Sequence, residues 1–394
     1  MIPYGRQEVT QFDIEAVIKV LRSDLLTQGP TVIAFEQAVA NYVGVKHALA
    51  TNSATSALHL ACLALGLKPG DILWTVPNTF VASANCGCYC GAIIDFVDID
   101  PLTWNMSVAR LEEKLILAKK NNQLPKIVIP VHFAGQSTEQ QAIWELAQKY
   151  GFKVLEDASH SIGASRSGDL VGGCRWSDAT VFSFHPVKII TTGEGGMVLC
   201  NDDTVADRLF MLRTHGITRD PSKFTGFNDN TEDSVTFAPW YHEQQLLGFN
   251  YRMTDIQAAL GLTQLERLDS YVECRNNLAN HYSTALNELP IQLPTILKEN
   301  CSSFHLYVIR LKLNDITKTH RQIFDELRQH GIGVNLHYMP VHLQPYYRER
   351  GFIPGQFPEA ERHGKEAITL PLYPTLTEQD QDLVINVFKK ILSS

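Results

Sequence analysis

Through the first two-thirds of the chain, short β-rich runs alternate with helical segments, and this order constrains the fold more than any other feature. "KHALATN" precedes "SATSALHLACLALGL", and "DILWTVP" precedes "TFVASANCGCYCG". "AIIDFVDI" leads, after a turn at Pro101, to "SVARLEEKLILAKK". "KIVIPVHF" leads to "STEQQAIWELAQKYG", and "FKVLEDAS" runs into a glycine-rich loop. Strands that alternate with helices predict an α/β fold, a mainly parallel sheet with helices on both faces. In such sheets ligands bind in the crevice at the carboxyl ends of the strands.

From about Thr254 the pattern changes. "TDIQAALGLTQLERLDSYVECRNNLANHYSTAL" reads as one long amphipathic helix. "FHLYVIRLKL" reads as a strand, "THRQIFDELRQHG" as a helix, "IGVNLHYMP" as a strand or loop, and "TEQDQDLVINVFKKIL" as a final helix. These elements predict a smaller α+β unit. The boundary falls near Leu262, giving a large domain over 1–262 and a small one over 263–394. The polar stretch "DPSKFTGFNDNTEDS" reads as an exposed loop.

Composition narrows the classes of function. A chain of 394 residues with 44% hydrophobic and 19% charged residues is an ordinary globular protein. It has no run of about 18 apolar residues that would span a membrane. The N-terminus lacks the basic-then-apolar order of a secretory signal, so a cytoplasmic location is expected. The net charge of −8 disfavours nucleic acid as a partner. Eight cysteines give no disulfide-scaffold density. Cys86, Cys88 and Cys90 are spaced by two, which is not a metal-ligand spacing, and they read as small buried thiols.

The strand ends carry the residues of chemical interest. After Thr51–Asn52, Ser53, Thr55 and Ser56 can cap a helix whose free amides would hold an anion. Phe80 follows the second strand and could face the crevice. Asp157 ends an apolar strand, where a carboxylate needs a positive partner. His160 lies three residues on, and Ser183 lies near the end of "ATVFSF". Lys188 follows in an apolar run closed by "GEGG", where desolvation lowers the amine pKa and leaves a nucleophile able to form a Schiff base. Each has an ordinary reading alone: an N-cap, a core aromatic, a turn cap, a lysine that snorkels to the surface. Together they describe a site for pyridoxal 5'-phosphate: phosphate on the "SATS" helix start and Ser183, ring on Phe80, ring nitrogen on Asp157, aldehyde carbon on Lys188.

At these residues the chain resembles the DegT/StrS sugar aminotransferases, a family of fold-type I pyridoxal-phosphate enzymes. The stretches "LTQGP", "ATNSATSALHLA", "PNTFVASAN", "EDASHSIGA", "SFHPVKIITTGEGGMV" and "GFNYRMTDIQAALGLTQL" carry the likeness over nearly the whole chain. The resemblance implies that Lys188 bears the cofactor as a Schiff base and shuttles the proton. It puts Asp157 on the pyridine nitrogen, Phe80 on the ring, and His160 near the ring hydroxyl. Ser53, Ala54, Thr55 and Ser183 would bind phosphate, joined by Asn250 from a neighbouring subunit, so a homodimer with shared active sites is implied. Two positions depart from the family pattern: Ala54 replaces a glycine, and His160 replaces a glutamine. Both suit a narrower branch. Dehydratases of the family carry histidine at the lysine position, so Lys188 implies transamination.

"NSATSAL", "EQQLLGFNYRM" and "HYMPVHLQPYYR" resemble the branch that works in pseudaminic acid biosynthesis. That branch implies transfer of an amino group from L-glutamate to C4 of a UDP-linked 4-keto-6-deoxy-N-acetylhexosamine. Tyr4, Arg6, Thr27, Gln28 and His185 are candidates for the nucleotide-sugar cleft, with His337, Tyr338 and His342 on the small-domain side. Two alternatives remain open. One is the same chemistry on a bacillosamine-type, perosamine-type or dTDP sugar. The other is a cofactor-binding regulator without turnover, against which the lack of a basic DNA-binding segment argues.

Overall fold

The computed structural model describes residues 1–225 and 239–393. Helices α1 (Gln11–Leu21) and α2 (Pro30–Val43) come first, followed by β1 (His47–Thr51) and α3 (Ala54–Ala64). Next are β2 (Ile72–Thr75), α4 (Ala82–Tyr89), β3 (Ile93–Phe96), α5 (Val108–Lys120), β4 (Ile127–Val128), α6 (Gln140–Tyr150) and β5 (Lys153–Asp157). A short hairpin, β6 (Ser165–Arg166) and β7 (Asp169–Leu170), leads to β8 (Ala179–Ser183), β9 (Gly196–Cys200) and α7 (Asp203–Arg213).

Seven of these strands form one sheet in the order β1-β9-β8-β5-β4-β2-β3. Strand β9 runs antiparallel to both neighbours, and the pairs from β8 through β5, β4 and β2 to β3 are parallel. The expected mainly parallel sheet is therefore present. Alternate residues of β8 and β9 enter different cores, as the two-residue period of a strand requires. Val181 and Val198 pack with Leu58 of α3 and Leu209 of α7, whereas Phe182, Met197 and Leu199 pack with Phe35 and Val39 of α2. Helices thus cover both faces, and the strand ends are left open between them.

The single long helix expected after Thr254 is two helices, α8 (Asp255–Leu265) and α9 (Leu268–Leu286). Arg267 leaves helical geometry at the junction (φ −103°, ψ 2°), and its guanidinium grips buried Asp13 of α1 at 2.7 and 3.0 Å. Beyond α9, a three-stranded sheet (Ile291–Gln292, Tyr307–Leu311, Ala367–Leu370) packs with helices His320–Gln329 and Glu378–Ser393 around its own core, from Leu278 to Ile391. "IGVNLHYMP" is irregular apart from two isolated bridges, Ile332 with Ile2 and Asn335 with Thr369. Of the expected exposed loop, residues 220–225 hold a short 3-10 turn (Pro221–Lys223), and 226–234 lie outside the described residues. Among the described residues no helix is long and apolar enough to cross a membrane.

Candidate active site

Lys188 sits on a loop tied shut at its base. Phe184 N–H donates to Gly195 O (2.9 Å), Thr192 N–H donates to Phe184 O (3.0 Å), and the Thr191 hydroxyl donates to the same carbonyl (3.0 Å). The chain leaves the sheet at Ser183, the last residue of β8, and re-enters at Gly196, the first of β9. Gly196 is paired with Ser183 on one side and Thr51 on the other. Lys188 therefore projects from a rigid frame at the strand ends. Burial pushes its amine down to about 8, and Asp157 pulls the other way.

Ser53 caps α3: Ser56 N–H donates to Ser53 Oγ at 3.1 Å, and the Ser56 hydroxyl donates to Asn52 Oδ1 at 2.6 Å. The amides of Ala54 and Thr55, the first two residues of the helix, have no carbonyl acceptor within it. With the helix dipole behind them they form an anion cradle. A Cβ on Gly196 would stand 2.5 Å from Ala54 N, so only glycine lets β9 pass this close to the cradle.

Asp157 ends β5 and is 4% exposed. Its Oδ2 accepts the Ser83 hydroxyl (2.6 Å), and its Oδ1 accepts the Ser159 N–H (3.1 Å) and hydroxyl (2.6 Å). These donors satisfy a buried carboxylate and fix its direction. Phe80 is 59% exposed although aromatic, because its ring faces the open cleft, 6.4 Å from the ring of Tyr338. His160 is buried, with Nδ1 accepting the Ala134 N–H (3.3 Å) and Nε2 lying 3.1 Å from the Tyr338 hydroxyl. His337 is buried against Thr369 Oγ1 (2.8 Å), and burial, with Lys188 next, pushes it down to about 3.

One cavity of about 820 Å³ collects most of the sequence-predicted residues. Tyr4, Ser53, Ala54, Thr55, Phe80, Asp157, His160, Ser183, His185, Lys188, His337 and Tyr338 all line it. The structure does not bring the others there. His342 is fully buried, 3.0 Å from Glu361 and packed on Phe357, so its polar edge is spent on a carboxylate in the core. Arg6 is exposed outside the cleft. Thr27 bridges Thr254, with Gln28 beside it, and Asn250 is exposed opposite Thr214. Sequence reasoning missed His305, which lines the cavity two residues before the strand Tyr307–Leu311, and Ser83, which holds Asp157. A serine three residues after Phe80, at the start of the next helix, was the available signal for the second.

The donor set fits pyridoxal phosphate. The cradle and Ser183 suit its phosphate, Asp157 its protonated ring nitrogen, Phe80 its ring face, and a lysine of lowered pKa its aldehyde carbon. Comparison with known proteins agrees. The DegT/DnrJ/EryC1/StrS aminotransferase family matches residues 7–389. The UDP-4-amino-4,6-dideoxy-N-acetyl-β-L-altrosamine transaminase of Campylobacter jejuni is 36% identical, with 100% of this chain and 98% of that protein covered. The GDP-perosamine synthase of Caulobacter vibrioides is 37% identical, with 92% and 91% covered. Helicobacter pylori PseC, an aminotransferase involved in the biosynthesis of pseudoaminic acid, superposes with a TM-score of 0.88 at 30% identity over 100% of this chain and 99% of that one. The PLP-form of the putative sugar aminotransferase Spr1654 from Streptococcus pneumoniae gives 0.86 at 27% identity over 100% and 98%. The chain belongs to the DegT/DnrJ/EryC1/StrS aminotransferase family and is a sugar aminotransferase that uses pyridoxal 5'-phosphate.

Proposed function

We propose that the chain moves an amino group from L-glutamate to C4 of a UDP-linked 4-keto-6-deoxy-N-acetylhexosamine, a step toward pseudaminic acid. The observation that carries the reading is the meeting of the Lys188 amine, the Asp157 carboxylate and the α3 N-terminus in one cleft. The altrosamine transaminase and PseC likenesses favour this sugar. The perosamine synthase likeness keeps a second reading, the same transfer onto a GDP-linked 4-keto sugar.

Glutamate and keto sugar enter one site in turn, and 2-oxoglutarate and amino sugar leave it. Pyridoxal phosphate, when bound, supplies the electron sink that lets a proton leave the carbon bearing nitrogen. Lys188 Nζ takes that proton and returns it, a task suited to an amine with a pKa of about 8. Asp157 keeps a positive ring nitrogen paired. Ala54, Thr55 and Ser183 anchor the phosphate. Tyr4, His185, His337 and Tyr338 line the space left for the sugar.

Exposure of Asn250, Thr27 and Gln28 away from their own cleft supports a homodimer in which these residues complete the partner's site. The separate core from Leu278 onward supports a second unit, while the packing of Leu268, Tyr271 and Val272 with Phe35 and Phe184 argues for a start later than the boundary read near residue 262. Eight free thiols agree with work in the cytoplasm.

The test is a Lys188→Ala variant assayed for 2-oxoglutarate release with glutamate and a panel of UDP-, GDP- and dTDP-linked 4-keto sugars. Turnover should vanish, and the wild type should prefer the UDP sugar. Full activity without Lys188 would refute the assignment. Preference for a GDP sugar would select the second reading.

A further inference from the structure

Both ring nitrogens of His160 are engaged inside the protein. Nδ1 accepts the Ala134 N–H. Burial first, then Lys188 and His337, hold the ring well below the usual histidine range, so it is neutral at pH 7. Its single proton then sits on Nε2 and is donated to the Tyr338 hydroxyl, 3.1 Å away. A phenol that accepts in this way still has its own proton to place. Burial, then Asp157 and Tyr4, push the Tyr338 phenol above its ordinary range, so that proton is retained. Among the described residues His160 is the one polar partner of this hydroxyl. Tyr338 lines the same cleft as Lys188, with its ring 6.4 Å from that of Phe80.

A second buried histidine backs the first. The His305 ring lies 4.5 Å from that of His160. It too is held neutral, by burial first and then by Lys188, and its Nδ1 is buried without a partner. Two neutral imidazoles pack without mutual repulsion, so His305 can lie against the ring of His160.

We propose that Tyr338 is a hydrogen-bond donor of this cleft, and that His160 is a positioning residue that turns the phenol O–H onto an acceptor oxygen bound there. The proposal rests on the reading of the cleft as an aminotransferase site. It differs from a direct contact between His160 and the ring hydroxyl, because neither nitrogen of His160 is left to face a ligand. The acceptor is an oxygen of the cofactor ring or of the keto sugar.

The variants Tyr338→Phe, His160→Ala and their combination separate these cases. Each single change should lower kcat/KM for the keto sugar about tenfold, the worth of one hydrogen bond, and the double variant should lose no more than Tyr338→Phe alone. His160→Gln keeps a donor at the far end of the side chain and should recover most of what His160→Ala loses. A cofactor oxygen as acceptor shifts the visible absorbance of the bound cofactor in both single variants. A sugar oxygen raises KM with that absorbance in place. Losses that multiply independently would overturn the proposal, as would a silent Tyr338→Phe. Thermal unfolding of the cofactor-free protein gives a separate readout, since the His160–Tyr338 bond needs no ligand. Additive stability effects there would sink the pair even if Lys188→Ala upheld the function, whereas an active Lys188→Ala variant would sink the function and leave that coupling intact.

Discussion

A single methyl group at Gly196 should dismantle the phosphate cradle. The Cβ of Gly196→Ala would lie 2.5 Å from Ala54 N, 2.6 Å from Ala54 Cα and 2.6 Å from Ser53 C. It falls short of ordinary contact by about 0.9 Å, and the atoms it meets are backbone rather than the end of a mobile side chain. The strand cannot retreat, because Gly196 is paired with Thr51 on one side and Ser183 on the other. The start of α3 must move instead. A shift of this size takes an amide out of hydrogen-bond range of a phosphate oxygen. One lost charge-assisted bond, at about 1.5–3 kcal/mol, weakens cofactor binding about 10- to 150-fold. The assay is titration of cofactor-free protein with pyridoxal phosphate, with melting temperature measured alongside. Gly193→Ala is the control within the same "GEGG". Gly193 has φ +80° with nothing within 4 Å of its added Cβ, so alanine there costs about 1 kcal/mol of stability through backbone strain but leaves the cradle in place. Affinity within about threefold of wild type for Gly196→Ala, or an equal loss for both variants, would refute the argument that close approach sets the cradle.

Asp255→Ala should destabilise the protein by about 3 kcal/mol or more in chemical denaturation, since the fully buried carboxylate accepts the N–H groups of Gly29 (2.8 Å), Thr31 (2.8 Å) and Val32 (3.3 Å) and alanine leaves all three without it; a loss below about 1 kcal/mol would mean that water replaces it. The rate of cofactor capture by the cofactor-free protein should follow the neutral form of Lys188. With the amine at about 8, roughly a tenth of it is neutral at pH 7. Because the pKa is lowered, capture should rise about tenfold from pH 6 to 7 and level off above pH 8. A rise continuing to pH 10 in stopped-flow absorbance would show an ordinary solvated lysine instead.

What the sequence could say about this site depended on distance along the chain. Lys188, Asp157 and the Ser53 cap are legible because each stands at the end of an apolar strand, and the parallel sheet brings strand ends together. The same logic could not separate His337 from His342. The two are five residues apart in one motif, yet the first lines the cleft and the second is sealed against Glu361 and Phe357. The partition depends on a helix (Pro358–Glu366) that the local pattern does not place against residue 342. The break between α8 and α9 is hidden for the same reason. Apolar residues continue across it without a gap, and the partner of Arg267 is Asp13, 254 positions earlier. Asp255 makes the point most sharply. It stands within "NYRMTDIQAA", and its carboxylate is spent on the start of α2, holding the "LTQGP" loop that leads into it. Two of the stretches that carry the family likeness are thus one structural unit, joined by a buried carboxylate. If Thr27 and Gln28 complete a partner's site as proposed, the effect of Asp255 on catalysis should be indirect, through where those two residues are held.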